Sequence, residues 1–112
     1  MADQVKMIDV ATAKQWIDSG LAVVVDVREV NEFTAAHIKG ANLRPLSSFK
    51  PAELPPVPQG KKLLLHCRTA NRCGTAAGIL LQSGYKGEIN RMAGGLVAWA
   101  NAGYPIEAGP PG

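Results

Sequence analysis

The chain has 112 residues, 46% of them hydrophobic and 19% charged, the composition of one globular domain and not of a disordered protein or a pair of domains. Twelve Lys and Arg against nine Asp and Glu give a formal charge of +3, with two each of Phe, Trp and Tyr and no block of basic residues. That balance favours small anions over nucleic acid as partners, and no apolar run approaches the roughly 18 residues of a membrane span.

Met1–Gln4 has neither a basic flank nor a signal-like apolar stretch, so a cytoplasmic protein without a membrane partner is expected. Size alone points to a monomer. Val5–Ile8 reads as a first strand, and Asp9 can cap a helix that runs to about Ser19 and stops at Gly20. Ala13, Trp16, Ile17 and Gly20 share one face of it. Leu21–Val25 is continuously apolar and β-branched, as interior parallel strands are. A short helix at Val30–Ala35 and a brief strand at Ala41–Leu43 follow. Pro45–Gly60 holds five of the eight prolines and predicts a surface connection with at most one helical turn, near Ser47–Lys50. Lys62–His66 is the next strand, Arg72–Ser83 a helix ended by Gly84, Glu88–Arg91 a last strand, and Leu96–Ala102 a last helix. Ala108–Gly112 is Gly- and Pro-rich and reads as a flexible tail.

Strands alternating with helices predict an α/β fold, a mainly parallel sheet of about five strands with helices on both faces. Ligands of such sheets bind beyond the carboxyl ends of the strands. Asp26, Arg28, Cys67, Arg68 and Arg91 stand at those ends, and Arg91 is a pocket candidate on that ground alone.

Cys67 closes a buried strand, and the loop Arg68-Thr69-Ala70-Asn71 leads from it into a helix. Backbone N–H groups of such a loop, with the helix N-terminus, form an anion cradle, and Arg68 and Arg72 bracket it. Each influence favours thiolate. An ordinary cysteine is only about 3% ionised at pH 7, and lowering its pKa by about two units makes it mostly thiolate. His66 precedes Cys67 on the strand, so it faces the other way and reads as structural. Cys73 shares a helix face with Ala76, Ala77 and Leu80, which predicts core packing; the alternative is a thiol that resolves an oxidised Cys67. The spacing of Cys67, Cys73, His37 and His66 matches no zinc-ligand pattern, so no metal is expected.

Three blocks, in order, resemble the single-domain rhodanese family. They are Asp26-Val27-Arg28 with Glu32-Phe33 and Ala36-His37-Ile38-Lys39-Gly40-Ala41; the Cys67–Arg72 loop; and Gly94-Gly95-Leu96 with Trp99 and Ala102-Gly103-Tyr104-Pro105. The resemblance implies one rhodanese-like domain over 1–112, with its core at about 5–107. It implies that Cys67 takes a sulfane sulfur from thiosulfate or a related small anion as a persulfide. A thiol or cyanide then removes that sulfur, and no cofactor is needed. Arg68, Thr69, Ala70, Asn71 and Arg72 would hold the anionic substrate. Asp26 and Arg28 would support the pocket floor, and His37 would be architectural. Ala36 and Ala70 stand where the family commonly has glycine, and Cys73 where serine is common. Two other readings use the same fold: a carrier of persulfide between protein partners, and a binding module without activity. Phosphatase or arsenate reductase relatives have one more residue in the loop than the four here between Cys67 and Arg72.

Overall fold

The structure is a computed structural model and describes residues 4–111; Met1–Asp3 and Gly112, on which part of the N-terminal and tail expectations fell, lie outside the described residues. Five strands form one sheet, β1 (Val5–Ile8), β2 (Ala22–Asp26), β3 (Asn42–Leu43), β4 (Lys62–His66) and β5 (Ile89–Met92), in the order β1-β5-β4-β2-β3. Every pairing is parallel. The helices are α1 (Val10–Asp18), α2 (Val30–Ala35), α3 (Asn71–Gln82) and α4 (Gly95–Asn101).

The period-two alternation of the central strands divides the core into two layers. Val25, Leu63, Leu65 and Ile89 point to one face, where Cys73, Ala76 and Leu80 of α3 cover them. Val24, Leu64 and Met92 point to the other, under Ala13 of α1 and Leu96 and Trp99 of α4. Such strands are buried on both sides, which is why they read as unbroken apolar runs. Asp9 caps α1 by accepting the Thr12 N–H at 2.8 Å. Trp16 is only half-buried, with the Lys62 ammonium 5.1 Å from its ring.

Some boundaries differ from those the sequence predicts. β2 begins one residue later, because the Leu21 N–H closes α1 on the Trp16 carbonyl instead of entering the sheet. β5 begins at Ile89, since Glu88 turns its carboxylate to Lys6 and Lys62 at 3.0 and 3.1 Å. The proline-rich connection makes two 3₁₀ turns, Leu46–Ser48 and Pro51–Glu53, where at most one was expected. Its Leu46, Phe49, Leu54 and Val57 pack against the α3 layer, so the turns are held by core contacts. The Ala108–Gly112 stretch, expected to be flexible, is anchored at Gly109. His37 and Glu107 exchange backbone hydrogen bonds of 2.8 Å each, and the Gly109 N–H donates to the Thr34 carbonyl at 2.9 Å.

Candidate active site

β4 delivers Cys67 to the carboxyl edge of the sheet, and three residues later the chain turns into α3. The turn is made by Ala70, at φ 92° and ψ −7°, the one described residue other than glycine with positive φ. This conformation directs the Ala70 N–H at the Cys67 sulfur, 3.1 Å away. The backbone amides of Thr69 and Cys73 add to the pull of this loop on a thiolate at that position. The loop carbonyls are engaged from the far side by the first turn of α4: Leu96 N–H donates to the Cys67 oxygen at 2.8 Å and Val97 N–H to the Arg68 oxygen at 3.1 Å. Gly95 permits this approach, since a Cβ there would lie 2.4 Å from the Arg68 carbonyl oxygen. With carbonyls held outward, the loop amides converge on one sulfur.

These donors decide the charge state of Cys67. The Cys73 thiol, with the backbone N–H groups of Cys73, Thr69 and Ala70, outweighs the effect of burial and brings its pKa down to about 5. At that value about 99% of the sulfur is thiolate at pH 7. Cys73 goes the other way: proximity to the Cys67 sulfur, then burial, pushes its thiol up. It is fully buried among Ala76, Ala77 and Leu80, and its Sγ donates to the Ala70 carbonyl at 3.0 Å. The two cysteines thus differ in charge, Cys67 favouring the thiolate and Cys73 the thiol. Neither forms a disulfide.

Of the flanking arginines, Arg68 is exposed on the rim of a groove of about 350 Å³ that also involves Arg28, Glu32, Leu96, Val97 and Ile106. Arg72 is not a free charge. It forks onto Glu32 at 2.6 and 2.8 Å, which holds the Glu32 carboxyl at about 2 and ties α3 to α2. Thr69 and Asn71 are exposed. Asp26 and Arg28 form a buried pair at 2.7 Å, and the Arg28 guanidinium also reaches the Ala36 carbonyl at 2.6 Å. They thus fasten the end of β2 to α2, with Arg28 at the groove floor. His66 is fully buried, its Nδ1 3.3 Å from the Cys67 carbonyl oxygen and its Nε2 3.7 Å from Asp26. Burial holds its imidazole below the ordinary range, so it is neutral. His37 stacks on Phe33 at 3.9 Å and bonds the Phe33 carbonyl. Arg91 lies under the loop, its Nη2 donating to the Ala70 carbonyl at 2.8 Å.

The sequence pattern that defines the Rhodanese-like domain matches residues 9–102. The chain belongs to the rhodanese-like domain family. This rhodanese-like domain is 40% identical over 94 residues to an uncharacterized protein of Synechocystis, covering 84% of the chain and 51% of that relative. It is 31% identical to a protein named sulfurtransferase from Allochromatium vinosum, over 81% of the chain and 83% of that relative. The chain thus spans about half the length of the first and most of the second. Its fold superposes on a thiosulfate sulfurtransferase from Pseudomonas aeruginosa with a TM-score of 0.81, over 94% of this chain and 20% of that one. At 23% identity, that likeness is one of fold.

The rhodanese-like loop brings together Cys67, the amides of Thr69, Ala70 and Cys73, and the shielded charge of Arg72. Two contributors escaped sequence reading. Glu32 has no role visible without the α2–α3 contact, though it stands in a quoted block. Cys73 as a donor to Cys67 is hidden by six residues of separation, which α3 and the left-handed turn close.

Proposed function

We propose that this domain is a sulfurtransferase that carries a sulfane sulfur on Cys67. The observation that carries the reading is the Cys67 sulfur at the focus of the loop amides at the start of α3, ionised at neutral pH. With thiosulfate as donor, the thiolate attacks the outer sulfur, an S–S bond forms, and the sulfur–sulfur bond of the donor breaks with its electron pair leaving on sulfite. The terminal sulfur then carries the negative charge, and the same N–H groups stabilise it. A thiolate or cyanide acceptor attacks that terminal sulfur, and Cys67 leaves as thiolate. A thiol with a pKa near 5 is a good leaving group, so the setting that generates the nucleophile also favours the second half of the exchange. The two steps give ping-pong kinetics.

Arg68, exposed at the groove rim, is the side chain placed to meet an anionic donor, with Thr69, Ala70, Asn71 and Arg72 supplying the loop around it. A protein persulfide donor or acceptor would use the same Cys67. No described helix is long and apolar enough to cross a membrane.

Intact mass after incubation with thiosulfate should show a gain of about one sulfur on Cys67 (roughly 32 Da), lost on adding cyanide as thiocyanate appears. Cys67→Ser, folded, should show neither. A wild-type protein that never acquires the sulfur from thiosulfate or from a protein persulfide would refute the proposal. Labelling by the protein donor alone would make the domain a carrier.

A further inference from the structure

Ala70 carries a Cβ in a conformation that glycine adopts freely and other residues rarely enter, so its surroundings must hold it there. Two of its backbone groups matter. The N–H meets the Cys67 sulfur at 3.1 Å, and the carbonyl accepts from the Cys73 thiol at 3.0 Å and from Arg91 Nη2 at 2.8 Å. The Cys73 thiol has one proton and two acceptors. In the structure it donates to the Ala70 carbonyl, and Arg91 holds that carbonyl whichever acceptor the thiol takes.

The fold reserves the space for this guanidinium. Arg91 lies on β5 in register with Leu65 of β4, two residues before Cys67, so it rises beside the catalytic strand. It then enters the gap left by Gly74 in the first turn of α3, where a Cβ would stand 2.7 Å from Nη2. Its Nε is buried with no hydrogen-bond partner among the described residues. A guanidinium that leaves one of its own donors unmatched is positioned for what the others hold.

We propose that Arg91 is a positioning residue for the nucleophile: by gripping the Ala70 carbonyl it keeps the left-handed turn in place and the Ala70 N–H on the Cys67 sulfur. The inference rests on the reading of Cys67 as nucleophile and adds a residue to it from a different strand. Other charges stand near the loop: Arg68 and Arg72 with Glu32, Asp26 with Arg28, and neutral His66 on the opposite side of β4. A through-space effect of the Arg91 charge must therefore be separated from an effect of position.

Glycine at position 70 makes that separation, because it takes positive φ without a clamp. The midpoint of Cys67 ionisation is followed by ultraviolet thiolate absorbance and by alkylation mapped to Cys67, in Arg91→Met, Ala70→Gly and the double variant. Arg91→Met is expected to raise the midpoint by about one pH unit, a tenfold loss in thiolate-to-thiol ratio, and by less than half of that in the Ala70→Gly background. An unmoved midpoint in folded Arg91→Met would make Arg91 a structural residue only. An equal shift in both backgrounds would make it a direct charge effect; either result overturns the proposal. Arg91→Gln, compared in the same two backgrounds, decides the matter by the same criterion if Arg91→Met does not fold. The titration needs no sulfur donor. A wild type that forms the persulfide while Arg91→Met keeps its midpoint refutes only the positioning role, and a normal shift without persulfide refutes only the sulfur-transfer reading.

Discussion

Ala70 shows how opposing terms meet at one residue. Its left-handed backbone costs about 1–2 kcal/mol for a residue with a Cβ. Glycine would remove that strain but free the unfolded chain, at about 0.4–1 kcal/mol, and would lose a buried methyl worth about 0.8 kcal/mol. These nearly cancel, so Ala70→Gly should leave the unfolding free energy within about 0.5 kcal/mol of wild type. Ala70→Val adds a branched Cβ at the same angle in a packed site and should cost more than about 2 kcal/mol. Urea melts of both variants check the pair. A chain read one residue at a time shows Ala70 merely as a departure from a glycine-rich pattern. That it begins a helix, and aims an amide at a sulfur, depends on contacts with Cys73 and Arg91 that sequence distance conceals.

At the scale of elements, the site is a junction of β4, α3, α2 and α4, and each contact has a specific chemical requirement. The Arg72–Glu32 fork joins α3 to α2, but both side chains are about 30% exposed, so its contribution to stability is modest. The α4 contact is more demanding. Gly95 has φ 59° and no room for a Cβ against the backbone of Cys67 and Arg68. Gly95→Ala should therefore cost about 2–4 kcal/mol and loosen the Leu96 and Val97 bonds to the loop carbonyls. Thermal denaturation measures the first effect, and faster hydrogen exchange at Leu96 and Val97 the second. The Gly94-Gly95 pair was legible in sequence as part of a family block. Its physical reason was not, because the clash is with a loop some 27 positions earlier.

For the whole molecule, two groups that titrate above about pH 5 in the unfolded chain have pKa values lowered by folding and link stability to pH with the same sign. Cys67 is near 5 in the fold, whereas an unfolded thiol titrates near 8.5, so between those values the unfolded chain binds a proton that the folded one lacks. Stability therefore rises with pH across that window and is lost as pH falls toward 5. His66, buried and held below its ordinary range, adds a loss on acidification below about 6.5. The unfolding free energy of the wild type should rise from about pH 5 to about pH 8.5 by an amount on the order of a few kcal/mol, read from urea melts. Cys67→Ser should show a distinctly flatter profile between about pH 6.5 and 8.5, where Cys67 supplies the slope; above about 8.5 the Cys73 thiol, pushed up in the fold, acts with the opposite sign. A profile identical to wild type would mean that the fold does not hold Cys67 ionised.

The sequence by itself determined the elements, the parallel sheet and the position of Cys67 between a strand and a helix. These follow from local signals: apolar runs of strand length, Asp9 and Gly84 as helix boundaries, and one loop between Leu65 and Gly74 rich in arginine. The tertiary structure alone decided what the charges do. Arg72, which reads as a free cation beside the loop, is matched by Glu32 from 40 residues away. Arg91, which reads as one strand-end residue among several, lies beneath Ala70 because β5 pairs with β4. Cys73 reads as core packing and is that, yet its thiol also meets Cys67. Secondary structure is written in spacing along the chain, whereas the ionisation of one sulfur depends on donors gathered from several elements within a few ångströms.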